Sequence, residues 1–108
     1  MKRGDIVTVA APGDYGKPRP AVVVQSDLIV GTDSVLVSLI TSTLRNAPLL
    51  RITIVPSSEN KLKVTSQIMI DKILAFPRSK CGKVIGQLNN SELLTLSQLL
   101  SVIFGLAD

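Results

Sequence analysis

Histidine and tryptophan are absent from this chain of 108 residues, and cysteine occurs once, as Cys81. A lone cysteine leaves no intrachain disulfide. Without histidine, a zinc site would have to be built almost wholly from carboxylates, which sets aside the usual ligand sets, and no metal or cofactor is expected. Any acid–base step has to run without imidazole, the commonest proton carrier. Aromatic side chains are scarce: Tyr15, Phe76 and Phe104 are too few for a broad base-stacking platform. No apolar run reaches the ~20 residues that cross a bilayer as a helix. The start, Met1-Lys2-Arg3-Gly4-Asp5, is basic but continues into an acid and a strand pattern, not an apolar signal core. The expectation is a soluble cytoplasmic protein with no membrane partner.

Apolar residues make up 45% of the chain, and its mean hydropathy is positive, which sets it apart from disordered sequences. The length predicts one domain over residues 1–108, large enough to bury a core without staples. Twelve Lys and Arg face eight Asp and Glu, a net charge of +4. That excess suits an anionic partner such as nucleic acid, and equally suits a solvated, lysine-rich surface.

The pattern is a series of short strands followed by one helix. DIVTVA (5–10) alternates, and PAVVVQS (20–26) is apolar and β-branched enough to be buried on both faces. SVLVSLIT (34–41), LLRITIV (49–55), SQIMIDKI (66–73) and KVIGQL (83–88) follow, with Gly86 marking a bend or bulge in the last. In LNNSELLTLSQLLSVIFG, Asn89 and Glu92 have capping-box spacing, and Leu88 and Leu93 have that of a hydrophobic staple. Leu93, Leu96, Leu100 and Ile103 recur on one helical face, and Gly105 is placed to end the helix. Leu94, Leu99, Val102 and Phe104 widen the apolar surface, which fits a deep core helix that also serves in part as a subunit contact. Strands that do not alternate with helices disfavour a parallel α/β fold and predict a small, strongly bent antiparallel sheet or partly open barrel.

Polar groups gather at a few strand ends. In APGDYGKPRPAVVVQSD, Pro18 and Pro20 bracket Arg19 and restrict the backbone on either side of it. A guanidinium so held suits bidentate contact with phosphate, although a strand-edge salt bridge is the plainer reading. ITST (40–43) closes an apolar strand in hydroxyls that either bind phosphate or cap a turn. In SQIMIDK, alternation puts Gln67, Met69 and Asp71 on one face, and an acid in so apolar a strand calls for a basic partner.

Taken together and in this order, KRGDIVTV, KPRPAVVVQSD, LIT, SQIMIDKI and LNNSELLTLSQLL resemble the MazF/PemK family of toxins from toxin–antitoxin systems, from residue 2 to about residue 104. The resemblance implies an SH3-like small antiparallel β-barrel with a C-terminal α-helix. It implies metal-independent, sequence-specific cleavage of single-stranded RNA through a 2′,3′-cyclic phosphate, a homodimer, and a cognate antitoxin. Carried over by position, the family's catalytic residues fall on Arg19, Thr41, Asp14 and Asp71, with Lys17, Ser42, Gln67 and Lys72 as candidate RNA contacts. The chain departs from the family in places. Asp14 stands where Glu is usual, the 11–18 loop lacks a histidine found in some members, and Met69 stands where a PemK-type relative has a catalytic arginine. Arg19 and Thr41 are therefore the stronger assignments. Two alternatives share the fold: a non-catalytic binding member, and a gyrase-binding CcdB-like toxin, whose activity depends on a tryptophan this chain lacks.

Overall fold

The computed structural model describes residues 1–10, 13 and 17–108. Six antiparallel strands run β1 (Asp5–Val9), β2 (Arg19–Val23), β3 (Ser34–Thr41), β4 (Arg51–Ile54), β5 (Ser66–Pro77) and β6 (Cys81–Gln87), followed by helix α1 (Asn90–Ile103). They form one sheet in the order β4-β5-β3-β2-β1-β6.

Alternation along the central strands separates two apolar clusters. Val7, Val9, Ala21, Val23, Val35 and Val37 gather with Met69 and Phe76. Ile6, Val22, Ile40, Ile68 and Ile70 gather with Leu88 and Leu96. This is why Ala21, Val22 and Val23 read as an unbroken run: successive side chains serve different clusters.

The sheet is not closed into a barrel, because β4 and β6 remain its two edges. The segment between β4 and β5 approaches β6 instead, and the Gln87 amide donates to the Glu59 carbonyl at 3.0 Å. Gly86 marks the predicted irregularity: Ile6 pairs with Gly86 but Val7 with Val84, so Ile85 is the extra residue of a bulge.

The helix begins as its sequence requires. Asn89 Oδ1 accepts from the Glu92 amide at 2.8 Å, and Glu92 Oε1 accepts from the Asn89 amide at 2.9 Å. It ends at Gly105, whose φ of 71° lets the Leu106 amide reach Ser101 O at 2.8 Å and the Gly105 amide reach Val102 O at 3.1 Å. Leu88 and Leu93 pack in the same cluster, as a staple would. The expectation of a deep core helix is corrected. Only Leu96 is buried, while Leu94 (60% exposed) and Phe104 (62%) face outward. The helix packs on the sheet through one side, and Leu94, Val102 and Ile103 stay uncovered. Among the described residues, no helix is long and apolar enough to cross a membrane.

Candidate active site

Proline chemistry opens a cleft between β2 and β3. Their ladder pairs Val23 with Val37, Val22 with Ser38 and Ala21 with Leu39, and stops there. Continued in the same register, the ladder would set Pro20 opposite Ile40 and Arg19 opposite Thr41. Pro20 has no N–H to continue the ladder. The end of β3 stays paired on its other edge, with β5, through Ile40–Ile68 and Thr41–Gln67. The strands part, leaving a cleft of about 590 Å³ lined by Arg19, the hydroxyl residues Thr41, Ser42 and Thr43, and Lys61 and Lys63. Pro18, Pro20, Ile40, Leu62 and Ile85 are among its apolar lining.

Thr41 serves the turn and the cleft together. Its Oγ1 accepts from the Thr43 amide at 3.1 Å, which is the turn-capping role open to it from the sequence. The hydroxyl proton is not used in that bond and is available to a ligand oxygen. A guanidinium and hydroxyls line the cleft, a set whose chemistry suits an anion, with no carboxylate among the described lining residues.

Gln67 stands behind this loop, not in the cleft. Its Oε1 accepts from the Arg45 amide and from Arg51 Nη1, both at 3.0 Å. Its Nε2 donates to Arg45 O at 3.0 Å and to Thr53 Oγ1 at 3.1 Å. Arg51 Nη1 also donates to Thr43 O at 3.1 Å. The buried amide is thus fully engaged in holding the chain that follows Thr41. Gln67→Leu should leave several of these groups unpaired and lower stability by about 1–3 kcal/mol. Urea unfolding beside a cleavage assay checks it: a variant as stable as the parent would remove the anchoring role. A smaller depression of about 360 Å³ lies on this side, between Arg45, Arg51, Gln67 and the helix residues Thr95 and Leu99.

The remaining expected residues are dispersed. Asp14 lies outside the described residues. Lys17 is exposed just before β2 and is not part of the cleft lining. Asp71 and Lys72 are exposed on β5, also outside the lining. Simple alternation failed here because β5 bulges. Ile40 pairs with Ile68 but Ser38 with Ile73, so residues 69–72 stand opposite Leu39 alone. The bulge carries Asp71 to solvent, so its carboxylate needs no basic partner. Cys81 packs against the first cluster. Burial pushes its thiol up from the usual range, partly opposed by the Arg78 charge, so it is no reactive thiolate.

Lys61 and Lys63 were not singled out in the sequence. In ENKLKV two lysines bracket an apolar residue, but nothing in that spacing says which surface they face.

The chain is thus a small protein with an antiparallel sheet, a C-terminal helix and one cleft lined by cations and hydroxyls. Residues 2–104 match the family model of PemK-like, MazF-like toxins of type II toxin–antitoxin systems, and the chain belongs to that family. It is 42% identical over 108 residues to Probable endoribonuclease MazF of Mycolicibacterium smegmatis, covering 99% of each chain. Among solved structures, it resembles an endoribonuclease from a mycobacterial species in complex with its cognate antitoxin (TM-score 0.82, 18% identity, 98% of this chain and 96% of the other). It also resembles the Mycobacterium tuberculosis toxin MazF-mt6 (TM-score 0.79, 20% identity, 94% and 96% covered). MazF from Deinococcus radiodurans aligns with a TM-score of 0.74 at 20% identity, over 97% and 96% of the two chains. At these structural identities the likeness bears on fold; the sequence matches carry the family.

Proposed function

We propose that residues 1–108 act as one toxin domain, a sequence-specific endoribonuclease that cleaves single-stranded RNA without a metal ion. The observation that carries this reading is that Arg19 and Thr41 line one cleft at the parted ends of β2 and β3. In the reaction the 2′-oxygen of the substrate bonds to phosphorus as the bond to O5′ breaks. The proton leaving the 2′-hydroxyl is matched by one gained on O5′, giving a 2′,3′-cyclic phosphate and a 5′-hydroxyl. Arg19 stabilises the charge that builds on the phosphoryl oxygens, and Thr41 and Ser42 orient them by hydrogen bonding. Asp14 is the proposed group for orienting or deprotonating the 2′-hydroxyl. Asp71 is set aside for that step because it is not among the residues lining the cleft.

The chain is further proposed to work in the cytoplasm as a homodimer and to be neutralised by a cognate antitoxin. The uncovered Leu94, Val102 and Phe104 surface supports the first contact. The net charge of +4 is compatible with an acidic antitoxin segment. A solved relative was captured with its antitoxin. Sedimentation equilibrium at micromolar concentration tests the dimer, and a clean monomer would remove it.

The deciding experiment is cleavage of a long single-stranded RNA in excess EDTA, with the ends of the products analysed. Cleavage should persist and leave 5′-hydroxyl and cyclic-phosphate ends. Loss of activity in EDTA, restored by a divalent ion, would overturn the mechanism. No cleavage under any condition would point to a purely binding toxin.

A further inference from the structure

We propose that Lys61 and Lys63 form a second phosphate-binding wall of the cleft, holding the RNA backbone beyond the phosphate that is cut; this rests on the cleft being the RNA site.

Lys61 has a φ of 57°, the one positive value at a non-glycine among the described residues. Glycine adopts that conformation without the steric cost any L-residue with a Cβ meets. The backbone is held there by Asn60, which is 1% exposed. Asn60 Oδ1 accepts from the Ser57 and Leu62 amides, both at 3.0 Å, and its Nδ2 donates to Val55 O at 2.9 Å. The Lys61 amide closes the turn onto Ser57 O at 3.1 Å. Leu62 then packs against the second apolar cluster, so the exposed lysines on either side of it are set at the cleft rim. A position whose backbone favours glycine thus carries a cation, and so does the next exposed position. Neither lysine forms an ion pair among the described residues.

With Arg19 at the start of β2, these lysines from the β4–β5 connection bring positive charge from two segments of the chain to one cleft that hydroxyls also line. A ligand that satisfies such an arrangement carries negative charge at intervals along an extended chain. A phosphodiester backbone does so. Ammonium groups act on phosphates as point charges that need no bidentate geometry, which suits contacts that hold a strand without reading its sequence.

The test compares the parent with Lys61→Gly, Lys63→Gln and the double variant. The probe is a fluorescein-labelled, fully 2′-O-methylated single-stranded RNA of mixed sequence, which binds without being cut. Each contact to a single strand contributes ~0.7 to the slope of log affinity against log salt, so the double variant should lose about 1.4 (2 × 0.7). Near 0.1 M salt that amounts to roughly fivefold weaker binding for each lysine and about 25-fold for both. Lys61→Gly should melt no lower than the parent, because it relieves the left-handed backbone, so its weaker binding will not reflect unfolding. Lys63→Arg should keep the slope. Cleavage of long RNA at saturation should stay within about threefold of the parent, the loss falling in KM.

A double variant with the parent's salt slope, where the parent cleaves RNA, overturns the lysine wall and leaves the nuclease intact. So does an unchanged slope in variants that escape an antitoxin, which would assign the lysines to a protein partner. A rate loss at saturation with unaltered binding overturns it too, placing them at the scissile phosphate. If the parent binds the probe with the expected slope but cleaves no RNA, the wall stands and the nuclease reading falls. A parent that cleaves RNA but does not bind the probe overturns the wall alone, and one that does neither overturns both.

Discussion

Arg19→Ala should lower single-turnover RNA cleavage by roughly a hundredfold or more, while RNA binding falls far less. Arg19 is the first residue of β2, paired with Val9 and bracketed by Pro18 and Pro20. Proline on either side narrows the backbone choices, so much of the cost of positioning the guanidinium is met on folding. A preorganised donor aimed at charge that develops in the transition state is worth about 3 kcal/mol, which sets the expected factor. Arg19→Lys should rescue poorly, because an ammonium lacks the planar pair of donors. Thr41→Ala should lose less rate, since a neutral hydroxyl stabilises charge less than a guanidinium does. Circular dichroism should show both variants folded, because Arg19 and Thr41 are half-exposed at strand ends. A folded Arg19→Ala that cuts RNA at the parental rate would place the chemistry elsewhere. A rise in the dissociation constant alone would make Arg19 a holding residue.

Gly86→Ala should destabilise the protein by about 2–3 kcal/mol, the upper part of the range for forced overpacking. A Cβ at this position would come within 2.7 Å of the Glu59 carbonyl oxygen and closer still to the Asn60 carbonyl group. These are backbone atoms and cannot rotate aside. The collision falls where the segment after β4 meets β6, beside the Gln87 to Glu59 bond of 3.0 Å. The melting temperature should fall by roughly 10 °C or more, at ~4–8 °C per kcal/mol for a chain near this size. Activity measured well below the transition should also suffer, mainly in KM, because a displaced Asn60 moves Lys61 and Lys63 with it. A Gly86→Ala protein melting with the parent would mean that the seam yields easily and does not brace the cleft.

Much of this molecule is set by local chemistry and is legible in one dimension. The span of β3 coincides with SVLVSLIT, because alternation and β-branched residues act over neighbouring positions. The Asn89–Glu92 box and Gly105 delimit α1, because caps are formed by residues three or four apart. The pairing of Arg19 with flanking prolines was visible for the same reason, and the succession of motifs carried the family.

Other features depend on which segments meet. Asp71 was expected inside an apolar strand and stands in solvent, because β5 bulges between its two stretches of pairing with β3, a feature only the strand register reveals. Gln67 was read as an RNA contact, yet its amide is engaged by Arg45, Arg51 and Thr53, which sit 14 to 22 residues away in the chain. The barrel stays open because the segment after β4 occupies the seam, a competition between a loop and a strand edge that no residue pattern records. Lys61 and Lys63 join the Arg19 cleft only because Asn60 is buried and turns the backbone there. The sequence by itself determined the elements, their caps and the arginine at the mouth of β2. The tertiary structure decided which polar groups share a cleft, because that depends on strand register and on the side chains that close each turn, contacts made between residues far apart in the chain.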